Sequence, residues 1–299
     1  MTIWGRRIAD DEPCYVIAEL GNNHGGDVAT AHKMIDLAAT AGAHAVKFQR
    51  RDNLNLYSQA LLNAPYENEN SYGPTYGAHR LALELPLRVY PDLIQHAHDR
   101  GVACLCTAFD EASAEDLAAV HIDGIKIASG GATDMALLER VALLGLPTII
   151  STGGCLEQDI LAAHQVVPHA AMLHCTASYP CDWPVLNLRY LSELRMMLPY
   201  TVIGWSGHDN GIAMAMVAYA FGARIIEKHF TFSRAAKGTD HAFSLEPAGF
   251  TKLCRDLARA HVALGDGVKR YYDSEKKPIA KMRRRQTPDG LKITGEVDQ

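Results

Sequence analysis

The chain has 299 residues, 48% hydrophobic and 21% charged, which is enough to bury the core of one large α/β domain or two ordinary ones and excludes a disordered polypeptide. A formal charge of −5 argues against a general nucleic-acid binder, whose phosphate contacts need a basic face, and the basic stretch 276–285 reads as a solvated run. No apolar run approaches a membrane span, the start MTIWGRRIADDEP lacks an apolar signal region, and seven scattered cysteines set no disulfide framework, so a cytoplasmic protein without membrane contact and with buried free thiols is expected.

Short apolar runs predict eight strands, at residues 15–20, 44–49, 102–107, 124–128, 148–152, 171–175, 201–205 and 225–230. Helical patterns follow them at 29–41, 87–100, 113–120, 135–144, 156–167, 188–198, 212–221 and 247–264. Strands alternating with helices imply a parallel sheet, and eight such units predict an α/β fold of the TIM (β/α)8 barrel type. The barrel is expected to be a single domain over 1–265, with 266–299 as a C-terminal tail and no complete second domain. An open doubly wound sheet is the alternative, although no GxGxxG follows the first strand.

Local punctuation supports the barrel. Gly42, Gly101, Gly145 and Gly222 each stand just past a helical pattern, where a left-handed residue ends a helix. Asp110 and Ser113 are candidate caps of the third helix, and Pro247 suits the first turn of the last. The connection 50–80 after the second strand is far too long for a simple turn and has no sustained period, which marks it as a functional lid or partner contact.

In a barrel the chemistry gathers at the C-terminal ends of the strands, and polar residues are abundant there. Glu19 ends the first strand. Lys47 and Gln49 share the inward face of VKFQ, with Val46 and Phe48 turned toward the helices. Thr107, Lys126, Ser151 and Thr152 close the next three strands, and His174, Thr176 and Ser178 follow the sixth. Ser206 and His208 share one face, as do Glu227 and His229, so two imidazoles on neighbouring strand ends could meet on one divalent cation, with Asp240 and His241 within reach. Cys104 and Cys106 share a strand face without a second pair and read as thiols rather than ligands. Two lysines inside strands are costly to bury without an anion, so either a phosphate or carboxylate ligand or a salt bridge to Glu19 or Glu227 must compensate them.

The segments IAELGNNHGGD, AVKFQ, LCTAFD, KIASG, ISTGG, LHCTASYP, SGHDNGI, IEKHFTF and GTDHAFSLEP, in that order, resemble the N-acetylneuraminate (sialic acid) synthase family. The resemblance implies a TIM barrel that condenses phosphoenolpyruvate with a sugar aldehyde, commonly N-acetylmannosamine or its 6-phosphate, using manganese or magnesium. It implies metal ligation by His208 and His229, phosphoenolpyruvate contacts from Lys47, Thr107, Lys126, Ser129, Ser151 and Ser206, and a sugar side lined by Glu19, Gln49, Tyr179 and Asp240. On this reading the protein is a C–C bond-forming transferase of carbohydrate biosynthesis. Lys47 and Lys126 offset substrate charge, and Glu19 or Asp240 moves the proton. A metal-dependent aldolase or isomerase, or a catalytically silent ligand-binding homologue, is the alternative.

Departures from the family pattern concentrate on the acceptor half. The glutamate of KIASGE is Gly131 here, an Asn or Ser position is Ala177, and the usual SDH turn has Gly207. The antifreeze-like C-terminal domain, which lends an arginine to the partner's sugar site, is not expected from this sequence. N-acetylmannosamine is therefore expected to be a poor substrate, unless Asp134, Asn68 or Tyr76 replaces the glutamate. Barrels often self-associate, which makes a homodimer the expected assembly.

Overall fold

The computed structural model describes residues 1–294. Eight parallel strands close into a barrel: Tyr15–Gly21 (β1), Ala45–Arg50 (β2), Ala103–Ala108 (β3), Gly124–Ile127 (β4), Thr148–Ser151 (β5), Ala171–Cys175 (β6), Ile203–Gly207 (β7) and Ile225–His229 (β8). Neighbours in sequence are neighbours in the sheet, and β8 closes on β1 in a register that sets His229 opposite Glu19. The seventh strand starts two residues later than the pattern predicts, because the Thr201 amide bonds back to the Leu198 carbonyl at the end of the preceding helix (3.1 Å).

Eight helices cover the strands: Val28–Thr40 (α1), Tyr90–Asp99 (α2), Glu111–Ala119 (α3), Met135–Leu144 (α4), Glu157–Val166 (α5), Tyr190–Met197 (α6), Ala213–Ala220 (α7) and Pro247–Leu264 (α8). Asp110 caps α3 by accepting the Ser113 amide at 2.7 Å, and the Ser113 hydroxyl returns a bond to the same carboxylate. All four of the expected helix-ending glycines have positive φ, from 66° at Gly145 to 100° at Gly222.

Strand alternation divides the buried residues into two layers. Outward-facing Val16, Val46, Phe48, Cys104, Cys106, Ile127, Met172 and Ile226 pack under the helices. Inward-facing Tyr15, Ile17, Ala45, Leu105, Ile149, Leu173 and Ile225 fill the lower barrel. A short N-terminal hairpin, Thr2–Ile3 with Arg6–Arg7, presents Ile3 and Ile8 to that lower layer. Its two-residue strands are too short to show a period, so the sequence did not predict it. The upper inward positions are charged, and the site begins there.

The long connection is not structureless. It holds single-turn helices Asn53–Leu56 and Gln59–Leu62 and a lid helix, Tyr76–Leu83, each capped by a side chain: Asp52, Ser58 and Thr75. The Tyr72 hydroxyl donates to the Lys237 carbonyl (2.6 Å), and the Gly238 amide donates to Asn70 Oδ1 (3.0 Å). These bonds fasten the lid to the loop between β8 and α8. The chain divides into compact units of 1–261 and 262–299; the described part of the second contains a helix, Asp273–Met282, and a hairpin, Arg284–Thr287 with Gly290–Ile293. No helix among the described residues is long and apolar enough to cross a membrane.

His24, in the loop after β1, is 3% exposed and accepts the Gly26 amide at 3.0 Å. Burial lowers its pKa from 6.5 to about 4. Between these values the unfolded chain holds a proton that the folded chain refuses, so stability falls as pH drops from 6.5 toward 4. The expected contribution is a loss of about 2 kcal/mol near pH 5 relative to neutral pH. Urea unfolding at both pH values checks it: His24→Asn should show a smaller acid loss by that amount, and an equal loss would contradict the assignment.

Candidate active site

The C-terminal ends of the strands open on a cavity of about 330 Å³. Its lining includes Glu19, Lys47, Gln49, Thr107, Lys126, Ser129, Ser151, Tyr179, Ser206, His208, His229 and Asp240, the residues to which the family resemblance assigned roles. They converge because β1 to β8 end at one level and every second residue points inward.

The floor is a buried charge network. Lys47 Nζ lies 2.5 Å from Glu19 Oε2 and donates to Thr107 Oγ1 at 2.9 Å. Lys126 Nζ donates to Ser151 Oγ at 2.6 Å. Glu227 sits 3.8 Å from each ammonium and accepts from Ser206 Oγ at 2.9 Å. The lysines are thus compensated by Glu19 and Glu227. Burial works against the Glu227 carboxylate, but Lys126, Lys47 and Ser206 outweigh it and hold its pKa down to about 2. Burial also opposes the charge on Lys47, where Glu19 and Glu227 prevail and raise the pKa; on Lys126 burial prevails and lowers it.

Backbone freedom makes room for this network at one point. Gly21 has φ of 52°, and a Cβ there would lie 3.3 Å from both Gln49 Nε2 and Glu19 Oε1 and 3.5 Å from Asp240 Oδ2. A side chain at this position would crowd all three groups. Gln49 Nε2 donates to Glu19 Oε1 at 2.6 Å, which leaves the carboxylate oriented between amide and ammonium.

At the other end, the His208 and His229 rings lie 5.4 Å apart by centroid, with Tyr179 4.1 Å from His208 and Phe243 4.9 Å from His229. Burial, reinforced by His229, lowers the His208 pKa to about 3, so its imidazole is neutral at physiological pH and available as a ligand. His229 Nδ1 is buried without a hydrogen-bond partner, and Asp240 Oδ2 is 3.8 Å away. The orphaned imidazole nitrogen of His229 beside the His208 ring fits a divalent cation. Among the described residues no group of three or more His, Cys, Asp or Glu is set to hold a metal, so a cation here would take its remaining ligands from substrate or water.

Five other strand-end candidates do not line the cavity: Thr152, Thr176 and Ser178 donate to the Leu173, Val185 and Pro180 carbonyls, and two histidines also lie elsewhere. His241 bonds through Nδ1 to Thr231 Oγ1 at 2.6 Å instead of facing the cavity. His174 lies on the outward face of β6 with Nε2 bonded to the Leu186 carbonyl at 2.8 Å. Strand-end position alone did not separate them from His208 and His229; the direction of the side chain did.

The structure also adds lining residues. The sequence places Glu227 on the face of His229 and as a possible salt-bridge partner; the structure sets it between both lysines. Arg51 and Arg80 come from the lid connection. Arg51 is 8% exposed, stacks 3.8 Å over Phe109 and leaves Nε unpartnered, while Arg80 Nε donates to the Tyr76 hydroxyl at 2.9 Å. The i,i+4 relation of Tyr76 and Arg80 was the available signal, but it required recognising the lid helix. Gly131 and Asp134 line a neighbouring cavity of about 260 Å³ with Leu56, Tyr57 and Phe109, and the Asp134 carboxylate caps α4 by accepting the Leu137 amide at 3.1 Å.

A closed parallel barrel with a buried acid–lysine network and two histidines at its strand ends defines a TIM-barrel enzyme. The chain belongs to the NeuB family, whose model matches residues 34–269. It is 33% identical over 305 residues to N-acetylneuraminate-9-phosphate synthase of Homo sapiens, covering 98% of this chain and 84% of that protein. It is 36% identical to N,N'-diacetyllegionaminic acid synthase of Campylobacter jejuni, covering 88% and 81%. The crystal structure of N-acetylneuraminic acid synthetase from Leptospira borgpetersenii, in complex with citrate, matches with a TM-score of 0.82 and 31% identity over 93% of this chain and 94% of that one.

Proposed function

We propose that the protein condenses phosphoenolpyruvate with a sugar aldehyde and water to give a 2-keto-3-deoxy acid and inorganic phosphate. The observation that carries this is the pairing, in one cavity, of two buried lysines with two histidines suited to a cation. Phosphoenolpyruvate brings a phosphate and a carboxylate. Lys47 and Lys126 would take them, assisted by the hydroxyls of Thr107, Ser129, Ser151 and Ser206. Binding replaces the Lys47–Glu19 contact and frees Glu19 for proton transfer.

In the reaction, C3 of the enol phosphate forms a bond to the aldehyde carbon, and the aldehyde oxygen becomes a hydroxyl by taking a proton. Water adds at C2, and the resulting tetrahedral centre expels phosphate to leave the ketone. Glu19 and Asp240, whose carboxylates would lie 3.3 and 3.5 Å from a Cβ on Gly21, would deliver and remove these protons. A divalent cation, manganese or magnesium, on His208 and His229 would supply Lewis-acid polarisation of the aldehyde. Tyr179 and Phe243 around the two rings would restrict water there. Product analysis by mass spectrometry tests the reading: a single acid containing all carbons of both substrates is expected, whereas pyruvate or an isomerised sugar would identify the aldolase or isomerase alternative.

The acceptor end receives Arg80 from the lid helix. Arg80 lines the same cavity as the catalytic lysines and histidines and would offer the aldehyde a cationic donor, while Gly131 carries the expected discrimination against N-acetylmannosamine. Arg80→Met is expected to raise KM for the aldehyde by about tenfold or more and leave KM for phosphoenolpyruvate unchanged, because one charge-assisted hydrogen bond is lost on one substrate only. Steady-state kinetics with each substrate varied in turn checks the split; a rise confined to phosphoenolpyruvate would move Arg80 to the other subsite.

A further inference from the structure

The residues next to the two histidines face the other way. Asp209 follows His208 and Lys228 precedes His229, so strand alternation sends both side chains to the layer beneath the helices. There they form an ion pair with each side chain 1% exposed. Lys228 Nζ donates to Asp209 Oδ1 at 2.8 Å and to the Asp209 carbonyl at 2.6 Å.

The position of this pair decides what it can do. The ladder between β7 and β8 ends with Gly207 opposite Lys228, and His208 and Asp209 lie beyond it. Past that point, the hydrogen bonds that tie 208–209 to β8 among the described residues are the two from Lys228 Nζ. The indole of Trp205 completes the pocket: Lys228 Nζ is 5.5 Å from its centroid, and a Cβ on Gly207 would meet the ring at 2.1 Å. Gly207 is therefore the residue that lets Trp205 lie across the strand end beside the ammonium.

Stability alone does not call for charges here. A buried ion pair is often replaceable by apolar residues without loss, and the same outer face already carries Ile203, Trp205 and Ile226. What apolar residues cannot supply is a directional bond from β8 to the carbonyl of the residue after His208. We propose that Lys228 and Asp209 are positioning residues that fix the separation of the His208 and His229 imidazoles and thereby the affinity of the site for its cation. This rests on the reading of those histidines as the cation holders.

Manganese titration followed by electron paramagnetic resonance tests it without turnover, in the wild type, His229→Ala and the double variant Lys228→Met/Asp209→Leu. The apolar double variant should keep its melting temperature close to the wild type and bind manganese about tenfold or more weakly, as expected when support behind ligands is removed. A folded double variant with wild-type manganese affinity overturns the proposal. Should the double variant fail to fold, Lys228→Met/Asp209→Asn, which also removes the bond to the Asp209 carbonyl, is measured in its place, with weakened binding expected and unchanged binding overturning the inference. If His229→Ala binds manganese as the wild type does, the underlying cation reading falls and takes this proposal with it.

Discussion

Lys126→Met is expected to lower kcat/KM for phosphoenolpyruvate by about 10³-fold, equivalent to about 4 kcal/mol, the scale for removing a preorganised charge from a developing anion. The lysine is 3% exposed and held between Ser151 and Glu227, so its charge is fixed in place. The same change leaves Glu227 with Lys47 as its remaining lysine at 3.8 Å, and stability should fall by about 3 kcal/mol for that reason. The two effects separate in Lys126→Met/Glu227→Gln. That variant should regain most of the melting temperature but not the turnover. If it regains turnover as well, Lys126 serves only to neutralise Glu227 and the anion-binding role is wrong.

His229→Ala is expected to abolish measurable turnover, a loss of about 10³-fold or greater, together with manganese binding. Its fold should survive, because the Nδ1 atom forms no hydrogen bond and the ring's contacts with Phe243 and Tyr179 lie on the cavity side of the barrel. Circular dichroism and thermal unfolding establish the fold, and calorimetry with manganese reports the cation. Full activity in this variant would remove the histidine pair from the mechanism.

Much of this site was legible because barrel geometry is periodic. VKFQ tells that Lys47 and Gln49 share a face, and β2 places both toward the cavity while Val46 and Phe48 pack outward. The same parity put Ser206 with His208 and Glu227 with His229. What parity cannot give is the distance between strands. The central place of Glu227, 3.8 Å from two lysines on other strands, depends on the closure of β8 onto β1 and on the register of β4. The lid was recognised by its length alone, since its one-turn helices show no period, and Arg51 and Arg80 were lost with it. Lys228 and Asp209 were passed over for another reason: an outward position on a barrel strand predicts an apolar residue, and only the structure shows that the two charges meet.

Carbon–carbon bond formation and phosphate release should be one process, and a coupled phosphate assay shows whether they are. Purified protein with manganese, phosphoenolpyruvate and a panel of aldoses is followed for inorganic phosphate and for consumption of the aldehyde. Phosphate release is expected to require both substrates and to match aldehyde consumption mole for mole, with loss in His229→Ala and Lys126→Met. Phosphate release that proceeds equally well without any aldehyde, or aldehyde consumption without phosphate release, would contradict it.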